Sequence, residues 1–359
     1  MIFDKKGQVA IFVIIALVIV GGILVFFVFR EQLFGPSIPA EFRPVFDYYK
    51  SCIEEETRAA IDLAGSQGGR IFVEPYIPGS EYAPFSSQLN FLGFPVPYWY
   101  YLSGNGLIKE NVPTKTEIQD EISQYVEERV NENCNFDNFY TKGFFINLSS
   151  PSAKTTINDA NIVVDVSSNL VVSKEEGSAR LSSHNVDVKS NFGKLYATAR
   201  EIYAKEKSAA FLENYSVDVL RTYAPVDGVE LSCSGKVWKT REVMSELKEA
   251  LMANVAAIKF KGDYYTSTKE NKYFVVDLPV TQQVNLVYSA AWPTKIEIGG
   301  ADDELMTAEP VGTQEGLGVM GFCYAPYHFV YDISYPVLVQ VLDGNEIFQF
   351  PVVVVVDKN

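Results

Sequence analysis

Histidine is scarce in this sequence: His184 and His328 are the only two in 359 residues. That is little material for a histidine-rich metal centre or an imidazole proton shuttle. Positive charge is in deficit too, with 30 lysines and arginines against 45 aspartates and glutamates and a formal charge of −15. A nucleic-acid binder needs clustered basic side chains to displace counterions from phosphate, so nucleic acid is not an expected partner. The four cysteines include no C-x-x-C pair, which argues against zinc and thioredoxin-like readings. No G-x-S-x-G string occurs, and the glycines at 65–69 lack the Lys and Ser/Thr of a phosphate-binding loop. No cofactor is expected.

What is present is apolar material. A 47% hydrophobic and 21% charged composition belongs to a folded protein. Residues Val9 to Phe29 form an uncharged run, VAIFVIIALVIVGGILVFFVF. As a helix it would span roughly 30 Å, the thickness of a bilayer's hydrocarbon core. Lys5 and Lys6 precede it, whereas Arg30 and Glu31 cancel behind it. The positive-inside rule then leaves residues 1–8 in the cytoplasm and places the C-terminal ectodomain outside. The run is longer than the apolar core of a removable secretory signal, so a retained single-pass cell-membrane anchor is expected.

Lys5-Lys6-Gly7-Gln8 followed by this run resembles the class III signal sequence of archaeal type IV pilin-like proteins. The resemblance implies cleavage between Gly7 and Gln8, with Lys6, Gly7 and Gln8 as the processing site and the helix kept on the mature chain. Phe12 stands where many such pilins carry a subunit-pairing glutamate. The whole chain also resembles long single-anchor surface proteins of small-genome archaea. The stretches that carry this likeness are KKGQVAIFVIIALVIVGG, LAGSQGG at 63–69 and CYAPYHFVYDISYPVL at 323–338.

Beyond the anchor the expected order is a Pro/Gly spacer at 30–44, an α+β ectodomain region at 45–255 and a β-rich region at 256–359 that is sandwich-like. The fold class is thus α+β. Apolar spacing predicts helices over 45–64, 117–133, 192–212 and 241–252. Thr114 or Thr116 would cap the second. Strands are expected at 144–148, 161–173 and 179–188, and then almost continuously from 256. Asp343-Gly344-Asn345 reads as a hairpin turn. The apolar run Val352–Val356 must be covered, most simply inside a sheet.

Five aromatics, Phe94, Tyr98, Trp99, Tyr100 and Tyr101, admit two readings. They form a stacking platform for a sugar or a partner protein, or they pack to order an irregular Pro-rich loop; the second is favoured. The cysteines of an exported chain are expected to pair as Cys52–Cys134 and Cys233–Cys323, with free buried cysteines as the alternative. Asp302, Asp303 and Glu304 are the sole Ca²⁺ candidate, and a solvated acidic turn is the simpler reading. His328 is read as packed against aromatics, and His184 as a turn or solvated strand position. Asn147-Leu148-Ser149 and Asn214-Tyr215-Ser216 match the N-glycosylation pattern. Taken together, the residues predict a non-catalytic, membrane-anchored surface protein with a structural, adhesive or envelope-assembly role. Its partner would be another protein or a second copy. An anchored hydrolase and a solute- or glycan-binding receptor are the alternatives.

Overall fold

The computed structural model describes residues 15–22, 38–80, 83–175, 177–262, 275–302, 304–312 and 323–359. Of the expected anchor only 15–22 falls within these, and it is helical. No helix among the described residues is long and apolar enough to cross a membrane. The processing site Lys6, Gly7 and Gln8 lies outside the described residues. The fold is mixed α+β.

Helix α1 (Arg43–Ser66) carries Pro44 in its first turn and buries Val45, Tyr49, Ile53, Ala60, Ile61 and Ala64, the stripe that its spacing dictates. It ends where Gly68 and Gly69 take φ of 68° and 89°, a region that glycine enters without steric cost. Helix α2 (Lys115–Asn133) opens with a capping box: Thr114 Oγ1 accepts the Glu117 N–H while Glu117 accepts the Thr114 N–H. The Cys52–Cys134 disulfide joins the two helices.

After a single-turn helix α3 (Asp137–Tyr140) come β5 (Phe145–Leu148), β6 (Ser152–Ile157), β7 (Asn161–Lys174) and β8 (Gly177–Lys189). They make an antiparallel sheet in which β7 pairs with β5 and β6 on one side and with β8 on the other. One face of β7 buries Ile162, Val164, Val166, Leu170 and Val172, and α1 packs on this sheet. The outer edge of β6 is closed by a helix rather than a strand. Gln119, Ser123 and Glu127, one helical turn apart on α2, accept the backbone N–H groups of Ile157, Thr155 and Ala153. The four-residue repeat of the helix matches the two-residue repeat of the strand closely enough for three bonds in register.

A bulge between Ser167 and Leu170 turns Ser168 inward. There its hydroxyl pairs with Tyr49 Oη at 2.9 Å, and its carbonyl bonds His184 Nε2 at 3.1 Å. His184 is therefore 4% exposed, packed edge-on against Tyr49, and not at a solvated position as the sequence suggested. Its inward turn follows from strand alternation, which places it on the same face as Val186 and Val188.

Helices α4 (Phe192–Ala209), α5 (Phe211–Tyr223) and α6 (Thr240–Val255) cover a second sheet. Its centre is the hairpin of β17 (Val330–Asp343) and β18 (Glu346–Val356), paired from Ile333↔Val356 to Asp343↔Glu346 across Gly344-Asn345. Strands β13 (Gln283–Val287) and β14 (Lys295–Gly299) pair with β17. On the far side, β18 runs parallel to β3 (Tyr100–Leu102), which pairs with β4 (Ile108–Glu110). In place of a sandwich within 256–359, one sheet draws strands from both sides of residue 255. β17 pairs along the whole apolar run Val352–Val356 and β3 joins at Val352, while α1, α4 and α5 pack on β18; Val352, Val353, Val354 and Val356 are buried. The remaining strands form two-stranded ribbons: β1 (Gln88–Phe91) with β2 (Phe94–Pro97), β9 (Asp227–Glu230) with β16 (Ala325–His328), β10 (Lys236–Lys239) with β15 (Leu305–Ala308), and β11 (Lys259–Gly262) with β12 (Val275–Val280).

Candidate functional site

The sites expected from sequence disperse. Tyr98 and Trp99 are each 1% exposed, Tyr100 and Tyr101 are half-buried, and only Phe94 stands out in solvent. The five therefore make no common platform. Trp99 lies 3.9 Å from Phe350, nearly parallel to it, and its indole N–H donates to the Gly68 carbonyl at 2.8 Å. The Pro-rich loop is ordered by pushing these rings into the core. His328 is exposed, with Nδ1 3.8 Å from Asp227 on the paired strand. Asp302 is held through its backbone, which bonds Leu305 and Thr240. Asp303 lies outside the described residues. Among the described residues no group of three or more His, Cys, Asp or Glu side chains is placed to hold a metal ion.

The four cysteines come together as expected: Cys52–Cys134 and Cys233–Cys323 are disulfides, with Cα separations of 5.9 and 4.7 Å.

The feature with chemical potential was not singled out from sequence. A chamber of about 400 Å³ lies between the β4–β3–β18 side of the second sheet and the corner where α4 meets α5. Val352 and Val353 line its apolar side; Glu110, Glu206 and Glu213 supply carboxyls, and Tyr100 and Tyr203 supply rings. The corner is Ala210, whose φ of 46° is left-handed and uncommon for a residue with a Cβ. An alanine has no side-chain oxygen to cap α5. Glu206 reaches across the break and does so, its Oε2 accepting the Leu212 N–H at 3.1 Å.

The other oxygen, Glu206 Oε1, and Glu213 Oε2 are both shut off from solvent with no donor among the described residues. A proton on Glu206 would give both oxygens a partner, whereas two buried anions would leave both without one. Burial, followed by the hydrogen bond and charge of Glu213, pushes the Glu206 carboxyl up to about 10. Burial likewise raises the Tyr203 phenol, with the neighbouring Glu110 carboxylate adding to it. At the rim Lys207 Nζ lies 2.7 Å from Glu110 and holds that carboxyl below its usual range.

A buried carboxyl pair is the raw material of acid–base chemistry. Here, however, one Glu206 oxygen caps a helix and the other carries the proton, so the pair acts first as a lock on the corner. A sequence signal for it is faint: the two glutamates stand seven residues apart, which on an unbroken helix is an ordinary solvated face. No family model, curated protein or solved structure matches the chain.

Proposed function

We propose that the chain is a membrane-anchored cell-surface protein, N-terminus inside and ectodomain outside, whose role is structural, adhesive or in envelope assembly rather than catalytic. The observation that carries this reading is the state of the cysteines. All four are paired, each disulfide encloses a long stretch of chain, and such bonds persist in oxidising compartments outside the cytoplasm. The apolar run at 9–29 supports the anchor, and the Lys6-Gly7-Gln8 sequence supports prepilin-type processing of it. Self-association or a protein partner at the surface follows from that role.

The test is the mature N-terminus and surface accessibility of the membrane-derived protein. Mass spectrometry is expected to find a chain that begins at Gln8 and still carries 9–29. Protease added to intact cells is expected to clip the ectodomain. Full protection of the chain in intact cells that are otherwise accessible to protease would refute the topology.

A second reading, an anchored hydrolase, has one observation in its favour: the carboxyl-lined chamber beside Tyr203. Detergent-solubilised full-length protein that turned over a peptide, glycan or phosphate ester, and lost that turnover in Glu213→Gln, would replace the first reading with this one.

A further inference from the structure

The two N-glycosylation sequons differ in how the fold holds the asparagine and how deeply it buries the serine. In the second, Asn214 Nδ2 donates to the Ala209 carbonyl at 3.0 Å, so the nitrogen that would be glycosylated is engaged at the α4–α5 corner. Ser216 is 1% exposed inside α5, its hydroxyl lodged against the Leu212 carbonyl and Tyr335 Oη, each at 2.6 Å.

The first sequon lies at the end of β5, where the strand gives way to the irregular segment 149–151. Among the described residues β5 pairs only with β7, through Phe145↔Ser173 to Leu148↔Leu170. Alternation sends Ile146 and Leu148 toward the core and leaves Phe145 and Asn147 on the outer face. Asn147 and Ser149 are both exposed; the Ser149 hydroxyl accepts the Asn169 N–H at 2.7 Å but stays at the surface, and no hydrogen bond engages the Asn147 side chain among the described residues. Phe145 is 73% exposed, an unusual placing for a phenylalanine on a regular strand. Two residues along a strand span about 7 Å on one face, so a group attached to Asn147 sits beside that ring. The apolar C–H face of a hexose is the complement of an aromatic face.

We propose that Asn147, and not Asn214, carries an N-linked glycan whose first sugar covers the Phe145 ring. The donor is a glycan carried on a lipid phosphate. The Asn147 amide nitrogen bonds to sugar C1, the bond from C1 to the phosphate oxygen breaks, the lipid phosphate leaves with the electron pair, and the amide gives up one proton. The proposal rests on the export reading, because such donors are used outside the cytoplasm.

Glycopeptide mass spectrometry of the membrane-derived protein tests it, with intact-cell proteolysis of the same sample reporting export independently. The expected result is a hexose-bearing peptide containing Asn147 and an unmodified peptide containing Asn214. In the native host, Asn147→Gln removes the glycan. Phe145→Ala keeps it but abolishes the rise in melting temperature that the glycan gives the protein with Phe145 in place. An unmodified Asn147 on a protease-accessible ectodomain overturns the proposal while leaving export standing; an unmodified Asn147 on a protected chain overturns both. A glycan on Asn214, or one on Asn147 whose stabilising effect survives Phe145→Ala, overturns the claim that this fold selects and uses the site.

Discussion

Glu206 caps α5 across the left-handed break at Ala210, and its other oxygen is buried near Glu213, on the helix that it caps. The corner between α4 and α5 is therefore built on a carboxyl that must stay neutral. Because its folded pKa is raised above the unfolded value, its contribution to stability is complete below about pH 4.5 and is lost as pH rises through about 10.

His184 is perturbed in the other sense, lowered first by burial, and its contribution is lost as pH falls below the usual imidazole range. Near pH 8 an unfolded histidine is almost wholly neutral and the buried tyrosines, all raised from 10.0, have barely begun to contribute, so Glu206 dominates the slope there. Unfolding free energy of the wild type is expected to fall by about 1 kcal/mol per pH unit around that pH. Glu206→Gln keeps the cap through its carbonyl oxygen, replaces the proton with an amide N–H, and should flatten the slope. Urea titrations of the two proteins at pH 7, 8 and 9 provide the check; parallel slopes would dissolve the picture of a protonated Glu206.

Trp99 is expected to behave as a core residue. Truncation to alanine removes the stack on Phe350 and strands the Gly68 carbonyl, which should cost about 3–5 kcal/mol. Near-UV dichroism and the denaturant midpoint would both shift. An unchanged midpoint would place Trp99 outside the core and reopen the stacking-platform reading.

Gly65 gives an expectation contrary to helix propensity. Alanine is the better helix former by about 1 kcal/mol, yet a Cβ at Gly65 would run into the Ile347 backbone carbonyl of β18. Gly65→Ala should destabilise by about 1–2 kcal/mol net of that gain. Thermal melts of the variant beside a surface Gly→Ala control would reveal it, and a raised melting temperature would mean that α1 and β18 are free to move apart.

Local signals made much of the architecture readable. A threonine cap at 114 or 116 signals α2, alternation signals β7 and β8, and Asp343-Gly344-Asn345 signals the β17–β18 turn; the structure selects Thr114 and adds Glu117 as its partner. Of the three pairings that four cysteines allow, the favoured one, Cys52–Cys134 with Cys233–Cys323, is the one in the structure. Other features had no local signal. The 192–212 helix was read as continuous because Ala210 is neither glycine nor proline; its break is stabilised by Glu206 and by packing, which are tertiary facts. The carboxyl pair was hidden for the same reason. His184 was misplaced because the face on which a residue falls depends on the pairing register and the bulge at Ser168, which composition does not announce.

The pairing of Tyr100 with Val352 also bears on the timing of folding. A ribosome delivers β3 long before β18, and until β18 arrives the Trp99 ring lacks the Phe350 and Phe348 surfaces that cover it. The first sheet, with the two disulfide-linked helices beside it, draws only on residues before 190, whereas the second sheet waits for the last strand. The second sheet thus closes last, when the C-terminal strand slots between a neighbour made just before it and one made about 250 residues earlier.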